Sequence, residues 1–243
     1  MTADGVIAQE PALILAHGLL DQLSQTAEQD IPPLLAPVQA DAIRRNVRSE
    51  DRRRRLLVRL LLAAALSRLE GWSPASTLAR LTWDDKGRPI LPGSGWAISF
   101  SHSGDAGLCL LGRQEISGQV GIDVETIRDL TIADVALAFC DEERRAIESS
   151  ADRQTHLFRI WCRKEAALKT LGTGLMTEPA QVNVLAPIPL PAMPGMGLRD
   201  LDPAAIGLPP DRYGVALAAE HGRILDRLVF LPLAALHQKF DGR

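Results

Sequence analysis

The 243-residue sequence predicts a fold that mixes helices and strands in two similar halves. Three observations carry this. Val120-Gly121-Ile122-Asp123-Val124-Glu125 alternates apolar and polar residues with the period of a strand. Two long helical runs each stop at a glycine, Gly71 in one half and Gly172 in the other. The halves also run loosely parallel: in each, a long helix precedes a turn-rich stretch and an apolar strand. That strand is Gly107-Leu108-Cys109-Leu110 in the first half and Gly214-Val215-Ala216-Leu217 in the second.

In chain order, residues 1–40 read as irregular, broken by Pro32, Pro33 and Pro37. A helix starts near Ser49 or Asp51, where acidic residues suit a helix N-terminus, and runs through Leu56, Leu60, Ala64 and Ser67 to Gly71. Trp83 to Pro92 is rich in turn residues. Strands follow at Trp96–Ser101, Leu108–Leu111 and Val120–Glu125. Helices are expected over Asp141–Glu148 and Thr155–Leu171. Residues 186–211, rich in Pro and Gly, read as loops. Strands at Tyr213–Ala219 and Arg227–Leu231 close the chain.

Composition narrows the function classes. A net charge of -3 disfavours a general polyanion binder, so any positive patch is local; no nucleic acid partner is expected. Cys109, Cys140 and Cys162 are odd in number and widely spaced, which disfavours a disulfide framework or a zinc site. The start of the chain lacks the basic stretch of a secretory signal, and the run Leu56–Leu66 is too short to span a bilayer and contains Arg59. A cytoplasmic protein with no membrane partner is the expectation. Aromatic residues make up only 4%, so the core rests on Leu, Ala, Val and Ile.

Four local patterns bear on chemistry. On a strand Asp123 and Glu125 share a face, with Cα atoms about 6–7 Å apart. Two carboxylates that close repel unless a positive charge lies between them, and a hard divalent cation such as Mg²⁺ takes oxygen ligands. The alternative is an edge strand with a solvated acidic face. On a helix Trp161, Glu165 and Lys169 stand at i, i+4 and i+8 on one face, with Lys164 on an adjacent one; the alternative is a surface ion pair. Ser99, Ser101 and Ser103 alternate with Ile98 and Phe100, so Ser101, His102 and Ser103 are candidates to bind a phosphate; a polar strand end is the plainer reading, and a Ser-His nucleophile would lack its orienting acid. Arg59, inside an apolar run, must snorkel or meet an anion. Lys86 and Arg88 flank Gly87 in a turn that could hold a terminal phosphate. The run Arg52–Arg55 reads as a solvated helix face, with DNA binding as the sharper alternative.

Together these patterns resemble the Sfp-type 4′-phosphopantetheinyl transferases. The signature of that family is Gly-(Ile/Val)-Asp-(Val/Ile)-Glu followed by Trp-x-x-Lys-Glu-(Ala/Ser)-x-x-Lys, matched here by Gly121–Glu125 and Trp161–Lys169. Gly87-Arg88-Pro89 is similar to the family's Gly-Lys-Pro turn, Ser99–Ser103 to its Asn-x-Ser-His-Ser strand, and Gly172–Leu175 to its Gly-x-Gly-Leu. Two departures stand out: Ser99 replaces Asn, and of the Arg-x-x-x-Arg pair common on the first long helix only Arg59 is matched, with Ala63 at the second position.

The resemblance implies an α+β fold of two similar subdomains related by a pseudo-twofold, 1–115 and 116–243, with the active site in the cleft between them. It implies Mg²⁺, with Mn²⁺ also able to serve, on Asp123, Glu125 and Glu165. Glu165 and Lys169 would be catalytic, and Arg59, Lys86, Gly87, Arg88, Ser101, His102, Lys164 and Lys169 would hold coenzyme A. The implied reaction moves 4′-phosphopantetheine from coenzyme A to a serine of an apo acyl, peptidyl or aryl carrier protein and releases adenosine 3′,5′-bisphosphate. The enzyme would be a monomer, with Phe139–Ile147 and Arg52–Arg55 as candidate carrier-docking surfaces. A non-catalytic coenzyme A or carrier-binding module and a metal-dependent phosphohydrolase are the competing readings; the second would want clustered histidines, whereas His17, His156, His221 and His237 are scattered.

Overall fold

The computed structural model describes residues 11–172, 178–185, 195–222 and 225–236. The fold is α+β. Its elements run β1 (Leu13–Leu19), α1 (Pro37–Arg44), α2 (Ser49–Glu70), α3 (Pro74–Arg80), β2 (Thr82–Trp83), β3 (Pro89–Ile90), β4 (Trp96–Ser103), β5 (Ala106–Arg113), β6 (Val120–Thr126), α4 (Asp141–Ser149), α5 (Arg153–Leu171), β7 (Gly197–Asp200), β8 (Tyr213–Ala219) and β9 (Leu228–Pro232), joined by short single turns of helix. A six-stranded sheet has the order β2-β3-β4-β5-β1-β9, and a three-stranded sheet the order β6-β8-β7.

Both long helices end as the glycines predict. Gly71 and Gly172 adopt left-handed backbone (φ 69 and 64), and their N–H groups close the last turns on the Ser67 and Leu168 carbonyls. Residues 1–40 are less irregular than expected. Leu13–Leu19 is a strand held between β5, antiparallel, and β9, parallel. Its first four residues are all apolar with no alternation, because both faces of the sheet are covered there; a period-two search passes over such a run. Within the expected loop 186–211, Gly197–Asp200 forms β7 against β8.

The layers stack helix, sheet, sheet, helix. α2 buries Leu57, Leu61 and Leu62 against one face of the large sheet, together with Ile14, Ile98, Cys109 and Leu111. The opposite face of that sheet (Leu13, Leu15, Leu108 and Leu110) meets Val120, Ile122, Val124, Val215 and Leu217 of the small sheet. Beyond it α5 packs Phe158, Cys162, Ala166 and Ala167 on Ala216 and Ala218. Gly121 makes the last contact possible, because a Cβ there would lie 1.9 Å from the Ala166 carbonyl oxygen. The strand therefore sits against the helix backbone itself, which fixes Asp123 and Glu125 beside the turn of α5 that carries Glu165 and Lys169.

The topology repeats. β1-α2-β4-β5 and β6-α5-β7-β8 are each a strand, a long helix and an antiparallel pair, with the first strand hydrogen-bonded to the last. The final strand, β9, returns to the first sheet. None of the described helices is long and apolar enough to cross a membrane.

Candidate active site

A cavity of about 770 Å³ opens between the two repeats. The first contributes Arg55 and Arg59 from α2, Trp83, Lys86, Gly87 and Arg88 from the β2–β3 turn, and Ser99, Ser101 and His102 from β4. The second contributes Asp123 and Glu125 from β6, and Trp161, Glu165 and Lys169 from α5; Gly172, Glu178 and Pro179 complete the rim. The strand face and the helix face inferred from periodicity thus meet in one place. Gly174 and Leu175 lie outside the described residues.

The acidic end is crowded. β6 is an edge strand, yet its acidic face is not solvated: Asp123 is 4% exposed and Glu125 is half-buried. Burial, and after it the charge of Asp123, holds the carboxyls of Glu125 and Glu165 above their usual range. Lys169 relieves part of this. Its Nζ donates to Asp123 Oδ1 at 2.7 Å and to the Ile122 carbonyl at 2.9 Å. Ser101 Oγ donates to the same Oδ1 at 2.9 Å. Asp123 Oδ2 is buried and accepts no hydrogen bond. A buried carboxylate oxygen without a hydrogen bond is costly; the buried Cys162 thiol adjoins the Asp123 carboxyl, and Glu125 and Glu165 line the same wall of the cavity. That chemistry fits a divalent cation such as Mg²⁺ or Mn²⁺. Among the described residues no three acidic, histidine or cysteine side chains are gathered tightly enough to bind an ion as they stand.

The opposite end is cationic. Arg59 is 6% exposed and neither snorkels nor pairs with a carboxylate among the described residues. Its guanidinium donates to the Arg55 carbonyl at 2.7 Å and to Gln39 Oε1 at 3.5 Å, and lies 5.0 Å from the centre of the Trp83 ring. Burial, and then the neighbouring Arg55, lowers its pKa to about 10. Burial and the same Arg55 lower His102 to about 4, so its imidazole is neutral near pH 7. Arg55 stands one helical turn before Arg59 and lines the same cavity. The arginine pair of this helix is therefore Arg55 and Arg59, not Arg59 with position 63. The i, i+4 spacing was present in the sequence but hidden inside a run of four arginines.

That run is otherwise spent on structure. Arg52 pairs with Glu28, Arg53 donates to the Leu20 and Leu23 carbonyls, and Arg54 binds Asp51 and the Gly104 carbonyl. Arg88 forms an ion pair with Asp84, whose Oδ1 also accepts the Lys86 and Arg88 backbone N–H groups and so shapes the turn around Gly87. The Arg88 guanidinium rests on Gly172, where a Cβ would lie 2.7 Å from it, so the turn of one repeat touches the helix end of the other.

Lys164 lies elsewhere. It is 2% exposed, outside the cavity lining, and its Nζ is held by Glu143 at 2.7 Å and by the carbonyls of Pro179 and Val182. Glu143 in turn accepts the N–H groups of Cys140 and Val184. The adjacent face of α5 is thus an anchor for α4 and for residues 178–185. Of the Phe139–Ile147 segment, Phe139 and Ile147 are buried. Leu137, just before it, is 92% exposed.

Comparison with known proteins points the same way. Residues 119–188 match the profile of the 4′-phosphopantetheinyl transferase superfamily. A Haemophilus influenzae protein assigned as a 4′-phosphopantetheinyl transferase is 32% identical over 168 residues, 67% of this chain and 69% of the relative. The 4′-phosphopantetheinyl transferase HetI of a Nostoc species is 31% identical over 61% of this chain and 65% of the relative. AcpT of Salmonella typhimurium, another protein of that name, is 29% identical over 47% of this chain and 56% of the relative.

Proposed function

This chain belongs to the 4′-phosphopantetheinyl transferase superfamily, and on that footing we propose that it transfers 4′-phosphopantetheine from coenzyme A to a serine of an apo carrier protein, releasing adenosine 3′,5′-bisphosphate. The observation that carries the reading is the polarity of the cavity. One end presents a buried guanidinium that no carboxylate partners among the described residues, and the other a buried carboxylate oxygen with no donor. Such a cavity suits a ligand that is anionic at both ends and brings a cation with it. Coenzyme A, with a 3′-phosphate and a pyrophosphate, has that form.

In this reading Arg59, with Arg55, Lys86, Gly87, Arg88 and His102, holds the 3′-phosphate and adenine end. Gly87, at φ 77, lets the turn pass close to the ligand without strain. Asp123, Glu125 and Glu165 hold Mg²⁺ or Mn²⁺, which when bound neutralises charge on the pyrophosphate oxygens. Glu165 takes the proton from the attacking serine hydroxyl, directly or through a water. Lys169 has three N–H donors. Asp123 and Ile122 take two, and the third can meet the leaving phosphate. The serine oxygen forms a bond to the phosphorus on the pantetheine side, the pyrophosphate P–O bond breaks, and adenosine 3′,5′-bisphosphate departs. Lys164 and Glu143 anchor the helix that carries Glu165.

The test is chromatographic detection of adenosine 3′,5′-bisphosphate from coenzyme A and Mg²⁺, with and without an apo carrier protein. Release that requires the carrier supports the transfer. Release without it supports a phosphohydrolase, and no release with any apo carrier supports a binding module.

A further inference from the structure

The free edge of β6 abuts the face of β4, and the contact is made by serine hydroxyls at every second residue. The Ile122, Val124 and Thr126 N–H groups donate to Ser99, Ser101 and Ser103 Oγ at 3.1, 3.1 and 3.0 Å. No backbone ladder joins these strands among the described residues, so the hydroxyls satisfy amides that an edge strand would otherwise leave to water. Two of the three then do something more. Ser101 Oγ donates a hydrogen bond to Asp123 Oδ1 at 2.9 Å, and Ser103 Oγ to Glu125 Oε2 at 2.9 Å. The unit repeats: the amide of the residue after each acid donates to a serine, and that serine donates to the acid. Ser99 forms the amide bond alone, because the residue before the Ile122 amide is Gly121 and not an acid.

We propose that Ser101 and Ser103 are positioning residues for the Asp123 and Glu125 carboxylates, each bridging an acid to the following backbone amide so that one named oxygen is occupied and the other is presented to the cavity. Asp123 shows the division between its two oxygens. Oδ1 is taken by Ser101 and Lys169, and Oδ2 is buried and left without a donor. A hydroxyl has one proton. Ser101 therefore serves the carboxylate and not a phosphate while that bond holds. Since coenzyme A binding was the role expected of Ser101, this places it one step back from the ligand. The inference rests on the reading that Asp123 and Glu125 hold a divalent ion, and outer hydrogen bonds of this kind commonly tune such ligands.

The experiment titrates Mn²⁺ alone into the protein, followed by electron paramagnetic resonance, with thermal unfolding of the metal-free protein alongside. Ser99→Ala, Ser101→Ala and Ser103→Ala each lose one amide bond and lower Tm alike. Mn²⁺ affinity falls about 10-fold or more in the second and third only. Ser103→Thr, which keeps the hydroxyl on a half-buried site, restores it. Equal Mn²⁺ affinity in all three alanine variants, or equal losses in all three, overturns the positioning role while leaving the metal assignment standing. No Mn²⁺ binding by the unaltered protein, with Asp123→Ala as reference, overturns the metal reading and this inference with it.

Discussion

Arg59 shows how one residue can carry both a cost and a purpose. A guanidinium inside an apolar helix face, held by a carbonyl and an amide oxygen, is poorly compensated until an anion arrives. Arg59→Met should therefore keep Tm close to that of the unaltered protein while raising KM for coenzyme A about 10- to 100-fold, the worth of a hydrogen bond to a charged group. Dephospho-coenzyme A should be used equally by both proteins; a mutant that still prefers coenzyme A would place the 3′-phosphate elsewhere. His102 gives a pH signature. Its folded pKa, about 4, lies below the ordinary value of 6.5, so between those limits the unfolded chain binds more protons and stability falls as the solution is acidified. His102→Asn should remove that contribution, on the order of 2 kcal/mol, from the acid limb of a urea-denaturation series run from pH 7 to pH 4. An unchanged slope would mean that His102 is already protonated or exposed.

At the scale of elements, the site depends on how closely β6 meets α5. Gly121→Ala would push a methyl group onto the Ala166 carbonyl, and should cost about 3 kcal/mol in denaturant unfolding and move Glu165 away from the acids of β6. Stability equal to that of the unaltered protein would show that the strand can back away without harm. Much of this geometry was legible beforehand. A period of two put Asp123 and Glu125 on one face, and a period of 3.6 put Trp161, Glu165 and Lys169 on another; the structure joins those faces. What periodicity lacks is the far partner of each face. Lys164 was read toward the ligand because it neighbours Glu165 in sequence, but residues 178–185 and α4 cover it. Nothing in the strand's own sequence says that the edge of β6 lies across Ser101, so its hydrogen bond to Asp123 is visible only in the structure. Arg55 is hidden by a run of four arginines, in which nothing marks the one that lines the cavity.

For the molecule as a whole, the two repeats explain why the site lies where it does. Each is a strand, a long helix and an antiparallel pair, and the cavity takes its cationic wall from one and its acidic wall from the other. The loose parallel of Gly107–Leu110 with Gly214–Leu217 falls on β5 and β8, which occupy the middle of equivalent three-strand sets. We propose that the repeats arose by duplication and are related by a pseudo-twofold. The part of this order that the sequence hid was β1 and the place of β9 in the sheet. The burial of β1 between β5 and β9 erases the alternation that marks a half-exposed strand, and β9, though expected as a strand, carries nothing in its sequence to say that it returns to the first sheet.

The central claim is that this cavity transfers phosphopantetheine, with Glu165 as its base. Its most direct test is the intact mass of an apo carrier protein after incubation with coenzyme A, Mg²⁺ and either the unaltered enzyme or Glu165→Gln. The account predicts a gain of one phosphopantetheine with the unaltered enzyme and a rate at least about 100-fold lower with Glu165→Gln. No gain across acyl, peptidyl and aryl carriers, or equal rates for the two proteins, would contradict it.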